Sequence, residues 1–376
     1  MKCARCKNED SDLFFELNGK AYCRKCIEFK RIEISFDPMH YSFQTQNLSA
    51  KYNLAFELSL QQSRISNRLV ENFKNSKNSY VWACTGSGKT EICYKVIQYA
   101  LNSGNRVCFC IPRTELVKEL YNRIRNDFSN IDIGLVYGGH NENSDSQFVI
   151  CTMHQLYRFV DTGFNLMIAD EVDAFPYYNN EVLAQIFESC CRGTFIKLSA
   201  TFVKEDIING ELLVMNKRYH NYLLPVPHVL MMPKIIQRYI CLLTLLITHK
   251  QYIVFAATIE EVLELTNFLK KYVKVKSISS KTQHKDEVLN ALRNKEIKAI
   301  VSTTLLERGI TIEDIQVMVM NASHINFDSR TLIQISGRVG RKINHPTGYV
   351  LFLTNQLSDG IKGCIKTIKF LNKQDA

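Results

Sequence analysis

The chain has 376 residues, of which 46% are hydrophobic and 22% charged, and its formal net charge is +10. This length exceeds one core of usual size and suits two or three domains, and the composition excludes a disordered chain. The excess of Lys and Arg favours a polyanionic partner, either nucleic acid or anionic lipid. The first residues are charged and lack an apolar core, so we expect no signal peptide and a cytosolic protein with reduced cysteines.

The chain opens with four cysteines in two C-x-x-C pairs separated by sixteen residues: Cys3, Cys6, Cys23 and Cys26. This spacing fits a four-thiolate zinc site, and a redox pair or an iron–sulfur cluster are the alternatives. The segment between the pairs predicts a hairpin that turns at Asn18 and Gly19. Residues 1–35 are too few to bury a core, so a bound metal would supply the folding energy of this predicted zinc finger.

A polar, irregular stretch at residues 36–51 is interpreted as a linker. From residue 52, apolar runs of strand length alternate with amphipathic helices, which predicts an α/β chain with parallel sheets. The predicted strands are 80–83, 107–111, 149–152, 166–169, 195–199, 252–256, 275–278, 299–302, 317–320 and 349–353.

A proline-rich break at residues 219–233 interrupts this alternation. It predicts two similar units, 52–204 and 205–376, joined by a connector. The longest apolar run, 240–247, is too short to span a bilayer and is predicted to be a buried helix.

The run A-C-T-G-S-G-K-T at residues 83–90 lies between a predicted strand and a predicted helix, as a phosphate-binding loop requires. Its glycines let backbone N–H groups converge on a phosphate, Lys89 would reach the β- and γ-phosphates, and the Thr90 hydroxyl would ligate magnesium. The alternative is a glycine-rich turn that binds nothing. The loop predicts an ATP site contacted by Thr85, Gly86, Ser87, Gly88, Lys89 and Thr90.

Two carboxylates, Asp170 and Glu171, directly follow the apolar run 166–169. The carboxyl ends of buried parallel strands are where open α/β sheets bind ligands. Asp170 can hold magnesium through a water, and Glu171 can accept a proton from the attacking water. An acidic surface turn is the alternative.

Two arginines near the C-terminus, Arg338 and Arg341, are three residues apart on a helix predicted over 330–341, so both would face the same way. A guanidinium can stabilise charge on a transferring phosphoryl group, and a solvated basic face is the alternative. With S-A-T at 199–201 and T-T-L-L-E-R-G at 303–309, the motifs occur in the order expected of a nucleic-acid-driven ATPase.

On these motifs, the four-cysteine segment before them and the run D-E-V-D-A-F-P at 170–176, the chain resembles superfamily 2 helicases, and within them late competence proteins of the ComFA family. The resemblance implies two tandem RecA-like parallel-sheet domains preceded by a small four-cysteine zinc finger. It implies an ATP-dependent single-stranded DNA translocase of natural competence that uses ATP, Mg²⁺ and Zn²⁺. It also implies a position at the inner face of the cell membrane, with a membrane DNA channel and a ComFC-like protein as partners; whether the chain forms a homo-oligomer stays open.

The resemblance also assigns roles to single residues. Gln62 would recognise adenine and Gly309 would bind nucleotide. Thr201 would couple the state of the bound ATP to the binding of the nucleic-acid strand. The γ-phosphate would be contacted by Gln334, Arg338 and Arg341. The phosphate backbone of DNA would be contacted by Arg113, Thr114, Thr152, Thr303 and Thr304. Hydroxyls and an arginine suit phosphate contact, which positions a strand without reading its sequence.

Three other interpretations are weighed. Helicases of the PriA type are much longer and carry their cysteines inside the second motor domain. RNA helicases of the DEAD-box type usually have His where this chain has Gln334, and they lack the finger. A DNA-binding protein with an inactive motor is disfavoured by the intact Lys89, Asp170, Glu171 and Arg341. No obvious duplex-separating segment is recognised, so translocation on a single strand is better supported than unwinding, and both stay open.

Overall fold

The computed structural model describes residues 1–29, 45–202, 207–220, 222–279, 282, 284–304 and 312–373. Most of the predicted linker and Gly309 lie outside these residues. The chain divides into two compact units, one of Met1–Ala83 with Gly88–Val214 and one of Cys84–Ser87 with Met215–Ala376. The cysteine pairs therefore belong to the first unit, and part of the phosphate loop belongs to the second.

An antiparallel hairpin of β1 (Phe14–Leu17) and β2 (Lys20–Cys23) begins the first unit. Asn18 and Gly19 form its two-residue turn with φ of +54° and +75°, which confirms the hairpin predicted from the sequence. Short 3₁₀ helices at Ser11–Leu13 and Ile27–Phe29 flank the hairpin.

The main sheet of the first unit has the strand order β10-β3-β9-β8-β4-β7-β5-β6. Its strands are β3 (Asn78–Ala83), β4 (Val107–Ile111), β5 (Ile133–Tyr137), β6 (His140–Glu142), β7 (Phe148–Thr152), β8 (Phe164–Ala169), β9 (Cys191–Ser199) and β10 (Gly210–Met215). The ladders from β3 through β9 to β5 are parallel, while β6 runs antiparallel to β5. Every residue of β4 and β7 is buried, as expected for parallel strands covered on both faces.

Helices and 3₁₀ turns connect these strands. They are α1 (Leu60–Lys74), a 3₁₀ turn at Glu91–Cys93, α2 (Tyr94–Asn102), α3 (Thr114–Asp127), a 3₁₀ helix at Met153–Phe159 and α4 (Glu181–Cys190). All five strands predicted for this unit are confirmed within a few residues, whereas β5, β6 and β10 were not predicted.

The second unit contains a parallel sheet with the strand order β11-β16-β15-β12-β14-β13. Its strands are β11 (His228–Met231), β12 (Gln251–Phe255), β13 (Val275–Ile278), β14 (Ala299–Ser302), β15 (Ile315–Val319) and β16 (Val350–Thr354). Its helices are α5 (Lys234–Ile247), α6 (Ile259–Leu269), α7 (Lys285–Arg293), α8 (Ser329–Ser336) and α9 (Asp359–Lys373). The five strands predicted here are confirmed, and β11 was missed.

Two expectations about helices were wrong. The helix predicted over 330–341 ends at Ser336, because Gly337 caps it and Gly340 takes a left-handed φ of +71°. Arg338 and Arg341 therefore lie on a turn rather than on one face of a helix.

The apolar run 240–247 does form a helix, but it is only partly buried. In α5 the buried residues are Gln237, Cys241 and Leu245, while Leu243, Leu246 and Ile247 are 51%, 55% and 68% exposed. Among the described residues, no helix is long and apolar enough to cross a membrane.

Candidate ATPase site and metal centre

The phosphate loop leaves the end of β3 and enters the 3₁₀ turn at Glu91–Cys93. Gly86 and Gly88 have φ of +78° and +76°, a conformation that side chains disfavour. A Cβ on Gly88 would overlap the side-chain amide of Gln62. The loop hydroxyls of Thr85 and Ser87 are buried. Glycine is therefore required at these two positions, because the predicted phosphate-binding loop turns there with positive φ angles.

Gln62 sits at the start of α1 and contacts this loop. Its backbone N–H donates to the Ser59 hydroxyl, and its side-chain Oε1 accepts from the Ser59 N–H at 2.8 Å. The two bonds form a capping box. The side chain is 2% exposed. The structure therefore gives Gln62 a structural role beside the loop, and its contact with adenine stays a prediction.

The loop lysine contacts the first of the two carboxylates that the sequence predicts to be catalytic. Lys89 Nζ lies 3.4 Å from Asp170 Oδ1, and both side chains are largely buried. Asp170 directly follows β8, and its backbone N–H donates to the Cys110 carbonyl at 3.0 Å. The fold brings together two residues that the sequence separates by about eighty positions.

Glu171 has an unusual backbone conformation. Its φ is +55°, a region that costs a non-glycine residue about 1–2 kcal/mol. Its N–H donates to Asp170 Oδ1 at 2.8 Å, so the two carboxylates are held by one local turn. Such conformations concentrate at functional sites, and this one lies where the sequence predicts the general base.

A second contact links the D-E-V-D run to the S-A-T motif. Thr201 Oγ1 donates to Asp173 Oδ2 at 3.0 Å, and both residues are buried. The Ser199 hydroxyl closes a neighbouring turn by accepting from the Thr201 N–H at 2.9 Å. The two motifs therefore form one hydrogen-bonded network.

We expect Thr201→Val to destabilise the first unit by about 1–3 kcal/mol, because it leaves a buried carboxylate oxygen without this donor. Thr201→Ser keeps the hydroxyl and serves as the control. Urea denaturation of both variants and wild type measures the difference. Equal stability of the Val and wild-type proteins would contradict the expectation.

Arg123, which the sequence did not single out, also reaches the site. From α3 it donates to Thr90 Oγ1 at 2.7 Å and lies 3.4 Å from Glu91 Oε1. No sequence signal marks it, since it is one of several polar residues on an amphipathic helix.

The residues predicted to hold magnesium fit that ion. Thr90 offers a hydroxyl and Asp170 a carboxylate, and both are at most 9% exposed. Hard oxygen ligands of this kind, completed by waters and phosphate oxygens, are what Mg²⁺ requires.

In the second unit, Gln334 lies in α8 and Arg338 in the turn after it, and both are buried. Arg341 Nε donates to the Gly337 carbonyl at 2.9 Å. Within the same unit, a Cβ on Gly86 would lie 3.7 Å from Arg341 Cγ. The arginine turn and the first part of the phosphate loop are therefore neighbours.

The predicted DNA contacts fall at strand ends. Arg113 occupies the N-cap position of α3, which begins at Thr114, and Thr152 ends β7. Ile111 pairs with Thr152 in the parallel β4–β7 ladder, so all three side chains lie at one edge of the sheet. In the second unit, the partly buried Thr303 and Thr304 follow β14. Their contact with DNA stays a prediction.

The four N-terminal cysteines form a compact buried cluster. Their Sγ atoms all lie within 4.8 Å of one another, with Cys3–Cys26 at 3.9 Å and Cys6–Cys23 at 3.6 Å. Tetrahedral zinc with Zn–S bonds of about 2.3 Å requires S···S separations of about 3.8 Å. The cluster therefore fits zinc.

The cysteine segment is fixed to the first unit. Lys7 pairs with Glu188 of α4 at 3.2 Å, and the Ser189 hydroxyl donates to the Arg5 carbonyl at 2.9 Å. Phe29 is 3% exposed and its ring lies 6.0 Å from that of His154, two residues after Thr152. The segment thus packs on α4 and on the 3₁₀ helix that follows a predicted DNA contact.

Two family models match the chain: "Type III restriction enzyme, res subunit" over residues 55–204 and "Helicase conserved C-terminal domain" over residues 235–342. The solved structure of S. cerevisiae Dbp5 bound to RNA and ADP BeF3 superposes with a TM-score of 0.59, at 16% identity, over 84% of this chain and 92% of that one. Fold and motifs therefore define a superfamily 2 helicase architecture with two RecA-like domains, a class that implies nucleic-acid-dependent ATP hydrolysis.

Competence protein ComFA of Streptococcus pneumoniae is 33% identical over 99% of this chain and 90% of its own length. Competence protein ComFA of Bacillus subtilis is 30% identical over 99% of this chain and 86% of its own length. ATP-dependent DNA helicase RecG of Synechocystis is more distant, at 23% identity over 88% of this chain and 45% of its own length. The chain belongs to the ComFA family of competence proteins.

Proposed function

We propose that this protein is an ATP-driven motor that moves along single-stranded DNA during uptake of transforming DNA. The observation that carries the proposal is similarity to competence proteins along 99% of the chain, together with the Lys89–Asp170 pair at the phosphate loop of this chain. No separate observation favours an RNA helicase or a replication-restart helicase.

In this proposal the first unit performs the chemistry. Bound magnesium would neutralise charge on the β- and γ-phosphates. Thr90 and Asp170 would hold that ion, and Lys89 would neutralise the phosphates directly. Glu171 would orient the attacking water and accept its proton. The Glu171 N–H bonded to Asp170 keeps the two carboxylates in a fixed relation, so one can bind metal while the other acts as base.

The second unit would supply positive charge to the transferring phosphoryl group. Arg338 and Arg341 are the candidates, with Gln334 orienting the γ-phosphate. A stabilising arginine of this kind is worth about three to five orders of magnitude in rate in related phosphoryl-transfer systems.

We further propose that zinc occupies the four-cysteine cluster and that the protein works at the inner face of the membrane beside a DNA channel and a ComFC-like protein. Family membership supports this setting, and the S···S distances support the metal. The contacts of the cysteine segment with α4 support a structural role for zinc within the first unit.

ATP turnover should rise strongly with single-stranded DNA of arbitrary sequence and much less with duplex, because the predicted contacts at Arg113, Thr114 and Thr152 suit phosphates rather than bases. Binding should weaken steeply with salt as counterions are released. Steady-state ATPase assays with single-stranded DNA, duplex and RNA, each at two salt concentrations, measure this. Stimulation by RNA with single-stranded DNA inert would overturn the proposal.

A further inference from the structure

A buried arginine outside every recognised motif holds the turn that carries the catalytic arginines. Arg218 lies three residues after β10 and is 1% exposed. Its Nη1 donates to the carbonyls of Val339 and Gly340 at 2.7 and 2.6 Å, and its Nη2 donates to the Gly337 carbonyl at 3.3 Å. Three carbonyls of one five-residue turn thus converge on a single guanidinium.

The same guanidinium reaches the phosphate loop. Arg218 Nε donates to the Thr85 carbonyl at 3.1 Å, within the second unit. Within the part of the chain that the structure describes, the hydrogen bonds of Arg218 all go to backbone carbonyls and none goes to a carboxylate. Burial lowers the pKa of Arg218 to about 10, which leaves it positively charged at neutral pH.

Neighbours of Arg218 bind the same turn. Tyr219 donates its hydroxyl to the Arg341 carbonyl at 3.1 Å, and His220 Nε2 donates to the Gly340 carbonyl at 3.0 Å. The Gly337 carbonyl accepts from both Arg218 and Arg341, so the two guanidinium groups share an acceptor. Gly340 cannot be enlarged easily, since its φ is +71° and a Cβ there would lie 2.4 Å from the Pro346 carbonyl oxygen and 2.8 Å from Arg218 Nη1.

We propose that Arg218 is a positioning residue for ATP hydrolysis, which fixes the turn 337–341 so that Arg338 and Arg341 are held ready for the phosphoryl group. The planar fork of arginine suits this role, because it directs several donors at fixed angles. Lysine would keep the charge but could not reach all three turn carbonyls. The proposal rests on the ATPase activity proposed above.

The test compares R218Q with R106Q. Arg106 is a matched control in the first unit: it is 2% exposed and donates to the carbonyls of Ser144 and Gly163. Both variants lose a buried, carbonyl-bound guanidinium, so both should lower thermal stability. Only R218Q should reduce kcat, by about tenfold or more, with the KM for ATP changed less than about threefold. R218K should fall between R218Q and wild type.

Two further measurements separate positioning from a general structural effect. Hydrogen exchange of the peptide containing residues 337–341 should be faster in R218Q and unchanged in R106Q. In a background that lacks both arginines (R338A with R341A), R218Q should reduce kcat by less than about twofold more, because residues that act through one another are not additive. Y219F, at a residue 40% exposed, gives a variant that is expected to fold and to show a smaller effect of the same kind.

The proposal would be overturned if residues 337–341 exchanged hydrogen in R218Q at the wild-type rate. Equal losses of kcat in R218Q and R106Q would also overturn it. So would a full additional loss in the background that lacks both Arg338 and Arg341. A wild-type protein without ATPase activity would overturn the proposed function instead. Hydrogen exchange would then still show whether Arg218 holds the turn 337–341 in place.

Discussion

Replacing Glu171 with glutamine should nearly abolish ATP turnover while leaving ATP binding intact. The amide keeps the size of the side chain but cannot accept the proton of the attacking water. General-base catalysis contributes about 10²–10⁴ in rate, and we expect a loss of kcat in that range. Because Asp170 and Lys89 are unchanged, the nucleotide should still bind. Steady-state turnover and binding of a fluorescent ATP analogue give the two quantities.

Glu119→Gln is the matched control for this experiment, since it makes the same chemical change on the exposed face of α3. It should hydrolyse ATP like wild type. Lys89→Ala should show the opposite pattern to Glu171→Gln, with weak ATP binding as its main defect. If Glu171→Gln turns over ATP at the wild-type rate, Glu171 is not the base.

Replacing Cys23 with serine should remove the metal and destabilise the whole first unit. Metal analysis should give one zinc per wild-type chain and none in the variant. Structural zinc supplies about 10–16 kcal/mol of apparent binding free energy in small fingers, so residues 1–29 should unfold without it. Their contacts with Glu188, Ser189 and His154 would then be lost, and we expect the melting temperature to fall by about 5 °C or more.

The same cysteine-to-serine substitution at Cys191 is the control, because this cysteine is partly buried at the end of α4 and lies outside the four-cysteine cluster. Cys191→Ser should keep its zinc and melt near wild type. Zinc retained in Cys23→Ser would disprove the ligand assignment. Zinc lost without any change in melting temperature would show that the cysteine segment and the first unit are energetically independent.

The sequence predicted the features that depend on local pattern. All ten predicted strands exist, because each is a short apolar run buried in a parallel sheet. The strand β11 was missed since it is four residues long and lies between Pro227 and Pro233, which indicate a break. The end of α8 was misplaced although Gly337 and Gly340 were visible signals of a helix end.

The motifs assign candidate site residues by type and order, and the catalytic roles of those residues stay predictions. The sequence proposes Lys89, Asp170 and Glu171 as such residues, and the structure adds the 3.4 Å contact between the first two. Arg123 and Arg218 could not be identified, since each acts through a contact between distant parts of the chain. Arg218 binds carbonyls about 120 positions away, and a backbone carbonyl leaves no signature in the sequence.

The attachment of the cysteine segment to α4 has a consequence for the order of events during synthesis. Lys7 and its partner Glu188 are 181 residues apart. At about 5–20 residues per second, α4 is made roughly 10–40 s after the cysteines. Throughout that interval the segment lacks its contacts with α4, and until residues 153–159 are made it also lacks the contact of Phe29 with His154, so metal capture must keep it folded. Chains truncated before residue 181 should therefore already bind one zinc. In the full chain, α4 would then pack on a cysteine segment that is already folded around its metal.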